Sequence, residues 1–152
     1  EGDRSQGKPA CLRGERPPGN QQENPGQVAM ILADTDVLID FLEGKGQADR
    51  VLAELGKESL ATTTITRYEL LAGAATEEQR NAIRQLLDCV TALPLDAAAS
   101  DRAAEAWRLL ESRGERIGMA DCLIAGIALQ HGVSLLTRNR QHFSRVPDLV
   151  LA

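Results

Sequence analysis

The sequence has few of the residues on which several common protein classes depend. Aromatic side chains make up 3% of its 152 residues, and none of its three lysines comes after Lys57. Proteins that coat single-stranded nucleic acid stack bases on many aromatic rings, so this composition argues against that class. No run of 18 apolar residues occurs in the sequence, and we therefore expect no membrane-spanning helix.

Cysteine is also scarce. Cys11, Cys89 and Cys122 are odd in number and far apart, and no C-x-x-C pair is present. His131 and His142 are not spaced with them as zinc ligands. The pattern argues against a disulfide scaffold and against a structural zinc site, and it favours reduced thiols in a cytoplasmic protein.

Positive charge is in the minority, which argues against a broad basic surface for nucleic acid. The formal net charge is -5. Residues 1–29 contain four acids and four bases, so the imbalance lies in the remaining chain, with 13 basic and 18 acidic residues. This balance is compatible with an enzyme that holds a divalent metal ion in an acidic pocket, because a bound cation reverses the local sign.

Residues 1–29 differ in composition from the rest of the chain. They hold four of the six prolines, five of the thirteen glycines and only five apolar residues. Such a segment cannot bury enough apolar surface to offset the entropy of ordering it, and it has no apolar signal-peptide region. We therefore expect residues 1–29 to be a disordered N-terminal extension. Because Met30 directly precedes the first apolar run, this extension is also a candidate for a non-native segment. Residues 30–152 are then one domain of sufficient size for a core.

Strands and helices are predicted to alternate in this domain. Strand-like runs are predicted at residues 30–33, 60–65, 90–95 and 133–136, with a candidate fifth strand at 149–151. Helices are predicted at residues 35–43, 47–55, 66–73, 77–88, 97–113 and 119–130, with Gly56 as the cap of the second. The alternation predicts an α/β fold with a parallel sheet, in which ligands bind beyond the carboxyl ends of the strands.

Three acidic residues fall where that rule points. Asp34 closes the first strand, Glu69 lies in the predicted first turn of the helix after the second strand, and Asp121 opens a nearly all-apolar helix. Thr137 and Asn139 follow the fourth strand. Converging carboxylates repel one another unless a cation lies between them, and Mg²⁺ and Mn²⁺ prefer oxygen ligands. Such an ion lowers the pKa of a bound water and stabilises charge on a phosphodiester.

Each acid also has a purely structural interpretation. Asp34 and Asp36 suit the N-cap of a helix, and residues Thr66 to Glu69 have the form of a capping box. Asp121 complements a helix dipole, although an acid that opens so apolar a helix is expected to be partly buried and to need a partner. The three acids together favour a metal site over three unrelated caps.

Four segments, in order, resemble the motifs of PIN-domain ribonucleases. They are residues 31–39 (ILADTDVLI), 64–73 (TITRYELLAG), 117–125 (IGMADCLIA) and 135–147 (LLTRNRQHFSRVP). Together they extend over essentially all of residues 30–152. The small single-domain size is similar to that of VapC-like toxins of type II toxin–antitoxin systems.

The resemblance implies a PIN-like doubly wound parallel sheet of four to five strands flanked by helices. It implies metal ligation by Asp34, Glu69 and Asp121, with Asn139 as a further catalytic residue that orients water or a ligand. Supporting roles are implied for two residues at the same sheet edge, Asp36 and Thr137. Basic residues near the predicted site are candidates for RNA binding: Arg67, Arg116, Arg138, Arg140 and His142.

The activity implied is that of a Mg²⁺- or Mn²⁺-dependent endoribonuclease. It would act as the toxin of a VapBC-type pair and cut RNA by attack of a metal-activated water at phosphorus. The implied partners are RNA, a cognate antitoxin whose C-terminal segment lies over the active site, and a second copy in a homodimer.

Other functions stay open. The change to Asn139 is compatible with a non-catalytic PIN-like module that binds RNA or protein, and a DNA-directed nuclease would share the same site. A haloacid-dehalogenase-type phosphatase would use Asp34 as nucleophile and Asp36 as acid/base. That family needs a lysine after its second strand and a late pair of acids. Because the chain has no lysine after Lys57, this last alternative is the weakest.

Overall fold

Four parallel strands form the centre of the protein. The computed structural model describes residues 7–15 and 29–152. The strands are β1 (Ile31–Ala33), β2 (Leu60–Thr63), β3 (Thr91–Leu93) and β4 (Ser134–Leu136), in the spatial order β3-β2-β1-β4. All three neighbouring pairs are parallel. Because the strand order reverses between β1 and β4, a crevice is expected beyond the carboxyl ends of these two strands.

Seven α-helices flank the sheet in the described part of the chain. They are α1 (Thr35–Glu43), α2 (Ala48–Gly56), α3 (Thr64–Gly73), α4 (Glu77–Leu87), α5 (Ala97–Ser112), α6 (Met119–His131) and α7 (Arg140–Phe143). One apolar cluster packs α5 and α6 against the sheet and includes Leu32 of β1. A second cluster packs α1, α2, α3 and α4 against the sheet and includes Ala33 of β1. Successive residues of a strand point to opposite faces, so helices cover both sides of the sheet and the predicted α/β, doubly wound fold is confirmed.

Strong local signals set several helix boundaries where they were predicted. Asp34 caps α1 by accepting a hydrogen bond from the main chain, and Gly44 ends that helix with a φ of 68°. Asp96 caps α5 in the same way, and Gly132 ends α6 with a φ of 61°. Within the described residues no helix is long and apolar enough to cross a membrane.

Helix α3 begins two residues earlier than predicted. Thr63, the last residue of β2, is its N-cap, and its Oγ1 accepts a hydrogen bond from the main-chain nitrogen of Thr66 at 2.9 Å. Glu69 therefore lies in the second turn, and the predicted capping box from Thr66 to Glu69 is wrong. Threonine suits both a strand and an N-cap, so composition did not separate the two.

Two more boundaries differ from prediction. Gly56 is the last residue of α2 rather than its cap, and Glu58 takes the left-handed conformation with a φ of 55°. Residues 149–151 form no fifth strand, because only an isolated parallel bridge joins Leu151 to Leu135. The sheet therefore has four strands in the described chain.

The disorder predicted for residues 1–29 stays a prediction, and residues 7–15 are the part of that segment that the structure describes. Residues Ala10–Arg13 form a single 3-10 helix, and Leu12 packs against the second apolar cluster. For residues 1–6 and 16–28 the prediction lies outside the described residues.

Helices α5 and α6 are in close contact at Gly126. A Cβ added there would lie 2.6 Å from the carbonyl oxygen of Ala99 and 2.7 Å from the Cβ and the main-chain nitrogen of Ala103. Backbone atoms of a neighbouring helix cannot move aside locally. The contact between the two helices therefore depends on the absence of a side chain at this position.

Gly126→Ala is expected to lower the free energy of unfolding by about 1–3 kcal/mol, because α5 and α6 must separate to admit the methyl group. Urea unfolding followed by circular dichroism measures the change. Gly56→Ala is the matched control, since a Cβ at that helical position meets nothing within 4 Å. Equal stability of the Gly126→Ala variant and the wild type would contradict the close packing described here.

Candidate active site

Asp34 lies at the crevice between β1 and β4. The strands are paired with Ala33 opposite Leu136, so the next residues, Asp34 and Thr137, lie side by side. The Asp34 Oδ2 accepts a hydrogen bond from the Oγ1 of Thr137 at 2.8 Å, and Oδ1 accepts one from the main-chain nitrogen of Thr35 at 2.7 Å. The side chain is fixed from both strands, and the residue is only 5% exposed.

The surroundings of Asp34 disfavour its negative charge. Burial raises the pKa of Asp34 to about 7, and the nearby carboxylates of Asp36 and Asp121 add to the rise. The hydrogen bonds from Thr137 and Thr35 oppose it only in part. A positive ion close to this carboxylate would remove the penalty, because it would replace the hydration that burial takes away.

Asp121 is joined to the same site by Asn139. The Nδ2 of Asn139 donates to the Asp121 Oδ2 at 3.2 Å, and its main-chain nitrogen donates to the Oγ1 of Thr137 at 3.0 Å. Thr137 in turn donates to Asp34. The Nδ1 of His142 lies 2.8 Å from Asn139 Nδ2 and 3.4 Å from Asp121 Oδ2. One continuous chain of hydrogen bonds thus connects the two acids through the residues after β4.

Glu69 reaches the site through Thr35, a residue that the sequence analysis missed. The Oγ1 of Thr35 donates to Glu69 Oε1 at 2.8 Å and lies 3.1 Å from the Oγ1 of Thr66. Thr66 is in turn bonded to Thr63, the cap of α3. The signal available in the sequence was the position of Thr35, directly after Asp34 and first in the predicted helix.

The acids converge more loosely than the sequence predicts. Among the described residues, no three His, Cys, Asp or Glu side chains are grouped as ligands of one ion. Asp121 is close enough to raise the pKa of Asp34, whereas Glu69 is held aside by Thr35. Mg²⁺ and Mn²⁺ usually take one or two carboxylates and complete their shell with water and phosphate. The oxygen donors and the uncompensated buried charge therefore fit a hydrated divalent ion.

Arg138 lies against two acids of α1. Its Nε lies 3.2 Å from the Oδ2 of Asp40 and 3.9 Å from the Oδ2 of Asp36. Burial raises the pKa of Asp36, and the main-chain N–H and charge of Arg138 oppose that rise. Asp40 was also missed by the sequence analysis, because an acid in mid-helix carries no local sign of burial.

The other candidates for RNA binding lie in different settings. Arg116 pairs with Glu111, and Arg140 donates to the carbonyl oxygen of Ala152 at 2.8 Å. Arg67 is exposed on α3, and His142 is partly exposed beside Asp121. The structure therefore brings His142 to the acids, whereas Arg116 and Arg140 are engaged with other groups.

Comparisons with known proteins find one matching family, similar relatives and similar solved structures. The model of the family described as PIN domain matches residues 31–149. Ribonuclease VapC10 of Mycobacterium tuberculosis is 36% identical over 121 residues, which cover 79% of this chain and 90% of that one. Ribonuclease VapC19 of the same organism is 36% identical over 125 residues, covering 79% and 97%. The solved structure of VapBC-1 from nontypeable Haemophilus influenzae is similar with a TM-score of 0.69 at 26% identity, covering 81% and 96%.

Asp34→Asn is expected to raise the melting temperature of the metal-free protein at about pH 8. Ionisation of Asp34 opposes folding as the pH rises through its unfolded pKa of 3.8, and the penalty is complete above its folded pKa of about 7. That difference corresponds to roughly 4 kcal/mol. Thermal unfolding in EDTA at about pH 8 and about pH 4 measures it, and the gain should vanish at the lower pH.

Added Mn²⁺ should raise the melting temperature of the wild type and leave that of Asp34→Asn unchanged. The control is Asp88→Asn, an exposed acid at the amino end of β3, which should respond to Mn²⁺ as the wild type does. If Asp34→Asn melts no higher than the wild type at about pH 8 in EDTA, the buried charge at Asp34 is not destabilising and the argument fails.

Proposed function

The chain belongs to the PIN domain family, and we propose that its site between β1 and β4 is that of a metal-dependent endoribonuclease, the toxin of a VapBC-type pair. The predicted family is thereby confirmed, and two relatives at 36% identity are named ribonucleases. The observation that carries the proposal is the hydrogen-bond chain from Asp34 through Thr137 and Asn139 to Asp121. It holds two acids at the one place in the sheet where a ligand is expected.

A divalent ion, Mg²⁺ or Mn²⁺, would be held by Asp34 and Asp121, with Glu69 as a further candidate ligand whose carboxylate is engaged by Thr35. When bound, it supplies an activated water and stabilises charge on the phosphodiester. The residues around it keep the carboxylates oriented. Thr137 donates to Asp34, Thr35 donates to Glu69, and the amide of Asn139 donates to Asp121.

Asn139 orients the carboxylate of Asp121 without adding a further negative charge. An aspartate at that position would repel Asp121, whereas the asparagine amide donates a hydrogen bond to it. Asp36 takes a supporting part through the main chain of Arg138. His142, partly exposed beside Asp121, is placed to contact the phosphate groups of single-stranded or looped RNA.

An antitoxin is the second proposed partner. An apolar groove of about 350 Å³ lies between α1, α3 and α4, lined by Ile39, Leu42, Leu70 and Ile83, with Glu69 at its edge. A segment of an antitoxin laid in this groove would reach the catalytic acids, and the similar Haemophilus structure is of VapBC-1. A cytoplasmic location and a homodimer complete the proposal.

Cleavage of labelled total RNA by the purified full chain, with Mn²⁺ or with EDTA, tests the nuclease directly. We expect metal-dependent cuts that disappear in Asp34→Ala. Asp121→Asn should lower the rate by about 100-fold or more, since changes even to residues behind metal ligands commonly cost 10- to 100-fold. Circular dichroism checks that both variants fold, and Asp88→Asn should cleave as the wild type does.

Each alternative has its own signature in that assay. Absence of cutting with every metal tried would overturn the nuclease and favour the PIN-like binding module. Cutting of single-stranded DNA but not of RNA would favour the DNA-directed nuclease.

Ala82→Asp is expected to weaken binding of the cognate antitoxin at least tenfold while leaving RNA cleavage at the wild-type rate. Ala82 lies at the wall of the apolar groove, and a charge there would have to be desolvated when a partner covers it. Co-purification of the two chains and calorimetric titration measure the effect. Ala53→Asp, at an exposed position of α2 outside the groove, is the control. Equal binding by Ala82→Asp and Ala53→Asp would exclude the groove as the antitoxin site.

A further inference from the structure

Asp40 is a fully buried carboxylate in the second turn of α1. The loop that follows the helix encloses it. The main-chain nitrogen of Gln47 donates to its Oδ2 at 3.3 Å, and Gly46 packs so closely that no Cβ would fit beside the carboxylate. Its Oδ1 has no hydrogen-bond partner in the part of the chain that the structure describes. A buried charge with so few donors depends on a cation.

Arg138, in the short segment between β4 and α7, supplies that cation. Its Nε lies 3.2 Å from the Asp40 Oδ2, and the side chain of Arg138 is 50% exposed whereas that of Asp40 is 1% exposed. The main-chain nitrogen of Arg138 donates to the Oδ1 of Asp36 at 3.4 Å. Because Asp36 and Asp40 are one helical turn apart, Arg138 is attached to α1 at two separate points.

The two residues next to Arg138 in the chain both contact acids of the candidate site. The preceding residue, Thr137, donates to Asp34, and the following residue, Asn139, donates to Asp121. Asp34 is also the cap of α1, the helix to which Arg138 is bound. The ion pair therefore fixes the segment 137–139 relative to the same helix that begins at the first acid of the site.

We propose that Asp40 and Arg138 form a positioning pair that holds the segment 137–139 against α1. The pair thereby maintains the hydrogen bonds that orient the carboxylates of Asp34 and Asp121. The part of this inference that is tested by RNA cleavage rests on the proposed nuclease function. It gives Arg138 a role other than the RNA contact that the sequence predicts. Loss of the pair would let the segment move, and a displacement of about 1 Å in a catalytic site can cost about 100-fold in rate.

Burial separates this role from direct contact with RNA. Arg138 is exposed enough to touch a phosphate, so a defect in an Arg138 variant alone decides nothing. The side chain of Asp40 is only 1% exposed, too little to contact RNA. Any loss of turnover in an Asp40 variant must therefore be transmitted through the groups that Asp40 contacts, and the double variant described below shows whether that group is Arg138. Removing Asp40 would even release Arg138 for phosphate, so the two roles predict opposite results.

The test compares the full-length chain with Asp40→Asn, Arg138→Ala, Arg138→Lys and the Asp40→Asn/Arg138→Ala double variant. Asp40→Asn and Arg138→Ala should each lower kcat about 10- to 100-fold with KM within about twofold of the wild type. The double variant should be no slower than either single variant, since both remove one interaction. Arg138→Lys should keep part of the activity, because its charge still lies near Asp40.

Arg84→Ala is the matched control, because Arg84 forms an exposed ion pair with Glu77 on α4. It should leave kcat unchanged. Should Arg138→Ala fail to fold because Asp40 is left uncompensated, Asp40→Asn and the double variant still decide the matter, since neither retains that charge. Wild-type kcat in Asp40→Asn, together with a raised KM in Arg138→Ala or Arg138→Lys, would overturn the pair and make Arg138 an RNA ligand.

Amide hydrogen exchange keeps this inference separate from the nuclease. The main-chain N–H groups of Arg138 and Asn139 are hydrogen-bonded to Asp36 and Thr137. In Asp40→Asn both should exchange about tenfold faster if the pair holds the segment. If the wild type cuts no RNA, the proposed function fails and exchange alone decides: faster exchange supports the positioning pair, and unchanged exchange overturns it.

Discussion

The hydrogen bond from Thr137 to Asp34 is the contact on which the rest of the site depends. It joins the first residues beyond β1 and β4, two strands that are far apart in the chain and neighbours only because the strand order reverses between them. Pairing of Ala33 with Leu136 sets its register. A shift by one residue would turn the strand's side chains to the opposite face and take Asp34 out of reach of Thr137. The placement of Asp34 beside Thr137 is therefore a direct product of sheet topology.

Two buried carboxylates, Asp34 at the N-cap of α1 and Asp40 in its second turn, have different partners. Asp40 is paired with Arg138, a full positive charge. Within the described residues, Asp34 accepts hydrogen bonds from two neutral donors, Thr35 and Thr137, and the pKa of Asp34 stays raised to about 7. Under the proposed function this contrast suits an exchangeable metal ion, since a protein cation at Asp34 would compete with the metal.

Much of this arrangement could be predicted from sequence, and the failures have physical causes. The bounds of α1 and the caps of α5 and α6 were correct because a capping acid or a left-handed glycine marks each of them. The start of α3 was placed late, since Thr63 serves as strand residue and cap at once. The placing of Asp34, Asp121 and Asn139 at one edge followed from the rule for parallel sheets. The pairing of Asp40 with Arg138 could not be predicted, because the two residues are far apart in the chain and meet only when α1 packs beside the segment after β4.

Electrostatics ties substrate binding to the metal ion under the proposed function. A polyanion that approaches the crevice meets Asp34, Asp36 and Asp121, and Arg138, which follows β4, is already shared between two carboxylates. Phosphate contacts gain most of their energy from cations that are free to replace counterions, and Arg138 offers little of that. The ion held by the acids would therefore do more than activate water. It would also supply the positive charge without which an acidic protein could not hold a phosphodiester at this edge of the sheet.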